Sequence, residues 1–472
     1  MVRAVAYDGL GRVTQTSLTS GGTIQSLSQY TYYNANRLTC TAARMNPAAF
    51  SSPPVSACLL GVTGTNGPDR ITVNTYDAAD QLTKVTGGYL STTQVDAATA
   101  TYTANGYVGT LKDAANNLST VVHDPYDRVS QIQFPMPTKG AGASNPSDYE
   151  GYGYDNNGNV TSVRRRSGET LTLTYDALNR ATLKHYPTGT SQDIYWGYDL
   201  LSRALYAHYG SAGGAGVDYA YDALGRPLSS TASGRTLSYQ YDAAGNRTRL
   251  TFPDAGANAL YVSYGYDVLN RVTSIGENGA TLGVGLLASY GYDSLGRRQT
   301  VTRAGGTGAS TSYGYDGASR LQSLIQSLAG SAAVTYSFGY NGAGQTLTRS
   351  LTNDTYTAHP AATTAGYVAN GLNQYASVNG TNFTHDARGD LTSDGTRAFT
   401  YSLDNQLLTG SAPTATTLAY DPLGRLQTQI TSGAVTTFLY DGSDLVGEYD
   451  GSGNILRRYI PGTGRGRAGG LV

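Results

Sequence analysis

A short phrase that recurs along the whole chain constrains the fold more than any other feature. Residues 221–226 read Tyr-Asp-Ala-Leu-Gly-Arg, and six-residue phrases of this kind begin at 18 positions. Their first residues are 7, 32, 76, 123, 154, 175, 198, 221, 241, 266, 292, 315, 340, 385, 401, 420, 440 and 449. Because these copies follow one another at short intervals, we predict a repeat array in which each unit packs on its neighbours.

The residues in each slot of the phrase predict a tight turn. Tyr fills the first slot in 16 copies and Asp fills the second in 15. The fifth slot holds nine Gly, four Asn, three Asp and two Ser. Gly, Asn and Asp tolerate a positive φ angle, so the fifth slot is predicted to be left-handed. An Asp at the start then completes a hairpin built on a type I turn, and the sixth residue, Arg in ten copies, starts the returning strand.

We assign these motif residues a structural role: Tyr packs on one face, Asp holds the turn, Gly takes the left-handed position and Arg begins the return strand. The residues are Tyr7, Asp8, Gly11, Arg12, Tyr76, Asp77, Tyr154, Asp155, Gly158, Tyr175, Asp176, Arg180, Tyr198, Asp199, Arg203, Tyr221, Asp222, Gly225, Arg226, Tyr241, Asp242, Gly245, Tyr266, Asp267, Arg271, Tyr292, Asp293, Gly296, Arg297, Tyr315, Asp316, Arg320, Tyr420, Asp421, Gly424 and Arg425.

Aromatic pairs precede many of the turns, for example Tyr219 with Tyr221 and Tyr264 with Tyr266. Residues at i and i+2 share one face of a strand. We therefore predict an all-β fold in which repeated β-hairpins form one long, curled ribbon, either a spiral shell (cocoon) or an open solenoid. Two strands per copy make about 36 strands and a ribbon of roughly 170 Å, which would enclose a space roughly 50 Å across if coiled once.

The spacing of the copies predicts the organisation of the chain. Residues 1–350 form a YD-repeat array with a Cys- and Pro-rich loop insertion at 40–70. Residues 351–384 form a non-repeat insertion, and residues 385–460 carry the terminal repeats. An aberrant Gly- and Arg-rich tail follows at 461–472.

The two cysteines, Cys40 and Cys58, flank the Pro-rich loop. They either form a disulfide that closes the loop or act as two small buried hydrophobic residues. The sequence favours neither reading over the other.

No residue pattern points to catalysis, a cofactor or a metal. The five His residues lie apart from metal-ligand spacing, at positions 123, 185, 208, 359 and 385. The Gly-rich stretch at 462–466 lacks the Lys of a phosphate loop. With 14% charged residues and a net charge of -1, the composition does not favour a nucleic-acid partner. We also find no apolar run long enough to span a membrane and no signal-peptide pattern at residue 1.

The repeated Tyr-Asp-x-x-Gly-Arg phrase resembles the RHS/YD-repeat family, which includes bacterial polymorphic toxins, the shell subunits of Tc-type toxin complexes and the teneurins. The resemblance covers essentially residues 1–460. It implies a β-ribbon that spirals into a cocoon around a C-terminal toxin, so the implied partners are that enclosed polypeptide or the remaining shell segments. It also suggests an exported, secreted or cell-surface bacterial protein, although the sequence leaves the location unknown.

The C-terminal region departs from the family pattern. In the family, an aspartyl autoprotease cuts at a D-P-x-G-L-type site. Here the approach to the closing region ends near Gly464 and is followed by Arg-Gly-Arg-Ala-Gly-Gly-Leu-Val, which predicts a truncation or frameshift. Residues 421–424 read Asp-Pro-Leu-Gly but are followed by Arg425, so we interpret them as an ordinary turn copy.

Three classes of function follow. The first is a structural segment of a cargo-enclosing toxin shell, without the autoprotease and the toxin, and so not an enzyme. The second is a cell-surface carbohydrate-binding or adhesion module that uses Tyr-rich faces, with glycans as partners. The third, an autoproteolytic enzyme, is disfavoured because the cleavage motif is absent.

Overall fold

The computed structural model describes residues 2–33, 36–189, 192–253, 259–303, 308–328, 331–355 and 364–462. These ranges contain forty β-strands, with one-turn 3-10 helices at Pro47–Ala49 and Gly283–Gly285. The strands are β1 (Val2–Tyr7), β2 (Val13–Ser20), β3 (Thr23–Tyr32), β4 (Leu38–Ala43), β5 (Arg70–Tyr76), β6 (Leu82–Gly87), β7 (Val95–Tyr102), β8 (Val108–Asp113), β9 (Leu118–His123), β10 (Val129–Pro135), β11 (Ser144–Tyr154), β12 (Val160–Arg164), β13 (Thr170–Tyr175), β14 (Ala181–His185), β15 (Ile194–Tyr198), β16 (Ala204–Tyr209), β17 (Gly216–Tyr221), β18 (Pro227–Ala232), β19 (Arg235–Tyr241), β20 (Arg247–Thr251), β21 (Tyr261–Tyr266), β22 (Val272–Glu277), β23 (Leu286–Tyr292), β24 (Arg298–Arg303), β25 (Ala309–Tyr315), β26 (Leu321–Ser327), β27 (Val334–Tyr340), β28 (Thr346–Leu351), β29 (Tyr367–Ala369), β30 (Tyr375–Val378), β31 (Thr381–Asn382), β32 (Thr384–His385), β33 (Leu391–Ser393), β34 (Phe399–Tyr401), β35 (Leu407–Gly410), β36 (Thr416–Tyr420), β37 (Leu426–Thr431), β38 (Ala434–Asp441), β39 (Asp444–Asp450) and β40 (Ile455–Arg458).

The strands follow one another as an antiparallel meander. Each strand from β1 to β28 pairs with the next strand in the chain, which makes one continuous 28-stranded sheet. The later strands form three smaller sheets, β29–β31, β32–β33 and β34–β40, again paired in chain order. The prediction of an all-β ribbon of successive hairpins is confirmed.

The motif at 221–226 shows why its residues recur. The backbone N–H of Gly225 donates to the carbonyl of Asp222 at 3.0 Å, which closes the turn. The Asp222 carboxylate accepts from the backbone N–H groups of Leu224 and Arg226, and its second oxygen accepts from the Arg226 guanidinium at 2.6 Å. These bonds, led by the backbone donor of Arg226, lower the pKa of Asp222. One Asp side chain therefore satisfies three donors within five residues.

The fifth-slot residue has a positive φ angle in 17 of the 18 copies, as at Gly225, where φ is +82°. The copy that begins at Tyr440 differs. There Asp441 pairs with Asp444 across a two-residue turn, and the positive φ lies at Gly442 instead. The turn is shorter here because β38 and β39 remain paired up to Asp441 and Asp444. Asp444 is therefore the first residue of β39 and not a turn residue.

Four turns with the same backbone hydrogen bonds were not identified from the sequence. They lie at 102–107, 112–117, 164–169 and 369–374, the last within the segment predicted as a non-repeat insertion. In the first and the last of them, Thr103 and Asn370 replace the opening Asp, and Gly106 and Asn373 have positive φ angles. A hydroxyl or amide oxygen accepts the same backbone bonds, so the turn survives the substitution.

Side chains of the motif also connect successive copies. The hydroxyl of Tyr241 donates to the carbonyl of Pro227 in the preceding hairpin at 2.9 Å. The Arg226 guanidinium lies 4.7 Å from the centre of the Tyr241 ring and donates to the carbonyl of Asp242 at 3.1 Å. Arg226 was predicted to begin the returning strand, but it lies one residue before β18, which begins at Pro227. It bridges to the next motif copy through a cation–π contact and a hydrogen bond.

The insertion between β4 and β5 folds back on the sheet. Cys40 and Cys58 are joined by a disulfide, with their Cα atoms 5.3 Å apart. In the same insertion, Arg44 and Asp69 form a buried ion pair at 2.6 Å. Asp69 also accepts the backbone N–H groups of Met45 and Gly61, so one buried carboxylate holds both ends of the loop.

The ribbon coils until it meets itself. We call the sheet edge that carries turns such as 8–12 and 316–320 the YD edge, and the opposite edge, with loops such as 20–22, the return edge. Gly317 on the YD edge lies against Ser20 on the return edge, so closely that a Cβ on Gly317 would lie 2.1 Å from the Ser20 hydroxyl oxygen. The YD edge of the second coil therefore sits on the return edge of the first.

The contact between Gly317 and Ser20 also sets the size of the coil. The 23 strands β3–β25 separate the two loops. At about 4.8 Å per strand they make a circumference of about 110 Å, or a coil roughly 35 Å across. The predicted width of roughly 50 Å assumed a single coil, and it is too large because the ribbon overlaps itself before it ends.

Candidate functional site

The contact line between the two coils, which we call the seam, joins residues that are far apart in the chain. The Asn373 amide donates to the Asp113 carboxylate at 3.0 Å, although 260 residues separate them. Further along, Lys184 donates to Asp404 at 2.7 Å across 220 residues. The seam thus fixes the curvature of the ribbon through polar side chains at its two edges.

Asp404 contacts three side chains of the first coil across the seam. It accepts hydrogen bonds from Lys184, from Arg165 at 3.0 Å and from the hydroxyl of Tyr186. Burial opposes ionisation of this carboxyl, but the bonds from Lys184 and Tyr186 lower its pKa below the ordinary value. Burial, followed by the contact with Asp404, raises the pKa of Tyr186. The Asp is therefore a charged anchor between coils.

An apolar side chain reinforces this anchor. Leu403 occupies the third slot of its turn and is only 8% exposed. It packs into a socket on the return edge that is formed by Leu171, Tyr186 and Ile194. Turn residues on a sheet edge are normally exposed, so the burial of Leu403 depends on the neighbouring coil.

A cavity of about 470 Å³ lies beside this socket. Its walls come from both coils and include Trp196, Tyr209, Tyr420 and Leu423. Burial raises the pKa of Tyr209 to about 12. The cavity is mostly aromatic and apolar, with Asp404 at its margin.

The hairpin of β38 and β39 makes a second charged contact with the first coil. Asp441 forms an ion pair with Arg247, whose guanidinium lies 5.5 Å from the centre of the Tyr239 ring and 5.4 Å from that of Tyr264. Burial, and then the charge of Asp441, raises the pKa of Tyr239. The surrounding apolar cluster joins both coils through Leu237, Tyr239, Leu250, Val262, Tyr264, Leu439, Val446 and Tyr449.

Sequence reasoning attributed the Asp residues to turns, and this is wrong for Asp404 and Asp441, which bind across the coils. A signal was present in both cases. The copy at 401 has Ser402 where the turn needs its Asp, and the copy at 440 ends in Leu445 instead of Arg. In these two copies, a departure from the motif accompanies a contact across the coils.

The other predicted site residues lie in turns and strands of the wall. His185 and His208 contact Asp193 and Asp218, respectively. Within the residues that the structure describes, no three His, Cys, Asp or Glu side chains are grouped to hold a metal, and no helix could cross a membrane. His359 and residues 463–472 of the predicted tail lie outside the described residues.

The Tyr rings that were considered as carbohydrate platforms are mostly engaged within the wall. Tyr264 is 9% exposed. The Tyr266 hydroxyl donates to the carbonyl of Arg247 at 2.8 Å. A ring with a buried face and an occupied hydroxyl offers little area on which a sugar could stack.

Comparisons with known proteins identify relatives of parts of the chain. The Teneurin YD-shell model matches residues 62–209, and the RHS Repeat model matches residues 221–257. No curated protein matches the chain.

Several solved structures are similar to this chain. The crystal structure of TcdB2-TccC3-Cdc42 matches 97% of this chain with 26% of its own, at 15% identity and a TM-score of 0.45. The crystal structure of TcdB2-TccC3 matches the same share with 31% of its own, at 13% identity and a TM-score of 0.40. The structure of the Photorhabdus luminescens Tc holotoxin pore matches 97% of this chain with 27% of its own, at 14% identity and a TM-score of 0.42. The chain thus spans less than a third of the length of these structures.

Proposed function

Because this chain belongs to the RHS/YD-repeat family, we propose that it is a section of the wall of a hollow β-shell that encloses a polypeptide. The observation that carries this proposal is the seam. A ribbon whose second coil sits on the edge of its first is a wall that closes around a space. The motif residues build and connect this wall, which is a structural role and not a catalytic one.

The accessible surface area of the chain supports a thin wall and argues against a solid globular core. The chain exposes 25361 Å². A compact globular protein of 49.5 kDa would expose about 16,800 Å². The excess is expected when a single sheet layer has solvent on much of both faces. We propose that the face bearing Tyr239 and Tyr264 lines the interior.

The course of the C-terminal strands supports an enclosed polypeptide. The hairpin of β38 and β39 packs on the Tyr face, where Asp441 meets Arg247. A polypeptide that continues from these strands would start on that face. The sequence contains no D-P-x-G-L site, so we propose that the autoprotease and the toxin of the family are not part of this chain.

A protease-protection experiment tests this function. An unstructured reporter of about 30 residues with several trypsin sites would be joined after Val472, and the same reporter would be joined before Met1 in a matched control. We expect the C-terminal reporter to be cut about tenfold or more slowly than the N-terminal one, because the wall restricts the protease. Equal cleavage of the two reporters, in fusions that retain the β-rich circular-dichroism spectrum, would contradict the proposal.

A further inference from the structure

The YD edge of the first coil carries a row of exposed apolar side chains. These residues occupy the third and fourth slots of seven turns on this edge, where a residue points away from the sheet edge. They are Leu10, Tyr126, Leu178, Leu200, Leu201, Leu224, Val268, Leu269 and Leu295. We call this row the free rim. Exposed apolar rows of this length mark interaction surfaces.

In several turns of a covered YD edge, the third-slot residue faces the neighbouring coil. A Cβ on Gly342 would lie 2.7 Å from the carbonyl oxygen of Arg44, and a Cβ on Gly371 would lie 2.1 Å from that of Met136. Leu403, also a third-slot residue, is buried in its socket. The third slot is therefore the position that contacts a return edge.

On the free rim, some third-slot residues are apolar but are not covered by a neighbouring coil. Leu200 is 100% exposed and Val268 is 98% exposed. They differ from Leu403 in environment and not in chemical type. Each is an apolar side chain at the position that inserts into a return edge elsewhere in this chain.

A matching return edge is exposed at the other end of the coil. The loop 278–285 joins β22 to β23 on that edge, and its Leu282 and Val284 are 81% and 78% exposed. The molecule thus presents an uncovered YD edge and an uncovered apolar return loop. Within the chain, the seam is formed by a YD edge lying on a return edge. The two exposed surfaces are therefore of the same two kinds.

We propose that the free rim binds the return edge of a second copy of this chain, with Leu200 and Val268 as its apolar anchors. The contact repeats the seam between two molecules and so continues the spiral. It joins two different surfaces, which makes it a heterologous, head-to-tail contact. This inference concerns assembly and does not depend on an enclosed cargo.

Complementation between two variants tests the proposal. The rim variant carries Leu200→Asp and Val268→Asp, and the return-edge variant carries Leu282→Asp and Val284→Asp. Sedimentation velocity should show concentration-dependent association of the wild type, and each variant alone should associate about tenfold or more weakly. An equal mixture of the two variants should recover a dimer, because the mixture retains one intact rim and one intact return edge.

A control variant shows whether weaker association results from the added charge or from misfolding and not from loss of the contact. Val55→Asp introduces the same carboxylate at a residue that is exposed but lies off the rim, and it should associate like the wild type. All the replaced residues are exposed, so the thermal midpoints should stay close to that of the wild type. A wild type that stays monomeric at all concentrations, or variants that do not complement each other, would overturn the proposal.

Discussion

Replacing Asp441 by Ala is expected to lower the free energy of unfolding by about 2–3 kcal/mol, a value between those of exposed and fully buried ion pairs. The substitution leaves the Arg247 guanidinium in the apolar cluster between the coils without its carboxylate. The side chains of Arg247 and Asp441 are 27% and 13% exposed, so the charge that remains after removal of Asp441 is largely desolvated and uncompensated. Urea unfolding followed by Tyr fluorescence measures the change.

A neighbouring residue supplies the control for this prediction. Asp444 is exposed at the other end of the same two-residue turn. Asp444→Ala removes an equal charge without leaving a buried cation, so its midpoint should remain near that of the wild type. If Asp441→Ala unfolds at the same urea concentration as Asp444→Ala, the hairpin does not hold the coils together.

Replacing Asp69 by Ala should have a larger effect, about 3–5 kcal/mol, on the insertion between β4 and β5. The side chains of Arg44 and Asp69 are only 3% and 4% exposed. Without the carboxylate, the Arg44 charge and the backbone donors of Met45 and Gly61 lose their acceptor. Hydrogen exchange of the loop amides, compared with the exposed control Thr65→Ala, measures the local loss of stability.

The disulfide remains in the Asp69→Ala variant, so the experiment reports on the loss of the carboxylate alone. Cys40 and Cys58 still close the loop in the variant, so the loop should open around an intact covalent link. Protection of the Met45 and Gly61 amides that is unchanged from the wild type would contradict the role of Asp69. Faster exchange at those amides with an unchanged exchange rate in β20 would show that the two parts of the wall open separately.

The turns could be predicted because their determinants are local. Asp222, Gly225 and Arg226 lie within five residues, and their bonds depend on side-chain chemistry and backbone angle alone. Where that chemistry was supplied by another residue, as at Thr103 and Asn370, the turn was overlooked. The prediction of a left-handed Asp444 failed because the strands pair further toward the turn, which is a property of the pairing and not of the residue.

The seam could not be predicted because it depends on accumulated geometry. Which turn meets which loop follows from the twist of some 20 successive strand pairs, and a small change per pair moves the contact by a whole hairpin. Leu403 and Leu200 are chemically equivalent in the sequence, yet one is buried and the other is exposed. The difference in their burial depends only on whether the neighbouring coil covers the turn.

Chemical cross-linking of Lys184 to Asp404 tests the coiling of the ribbon most directly. A carbodiimide joins an amine to a carboxylate only at contact distance, and these groups lie 2.7 Å apart across 220 residues. Lys84 and Asp96, 3.5 Å apart on the adjacent strands β6 and β7, form the positive control. The coil predicts that mass spectrometry of the digested monomer detects both cross-linked peptides. Detection of the Lys84–Asp96 peptide without the Lys184–Asp404 peptide would contradict it.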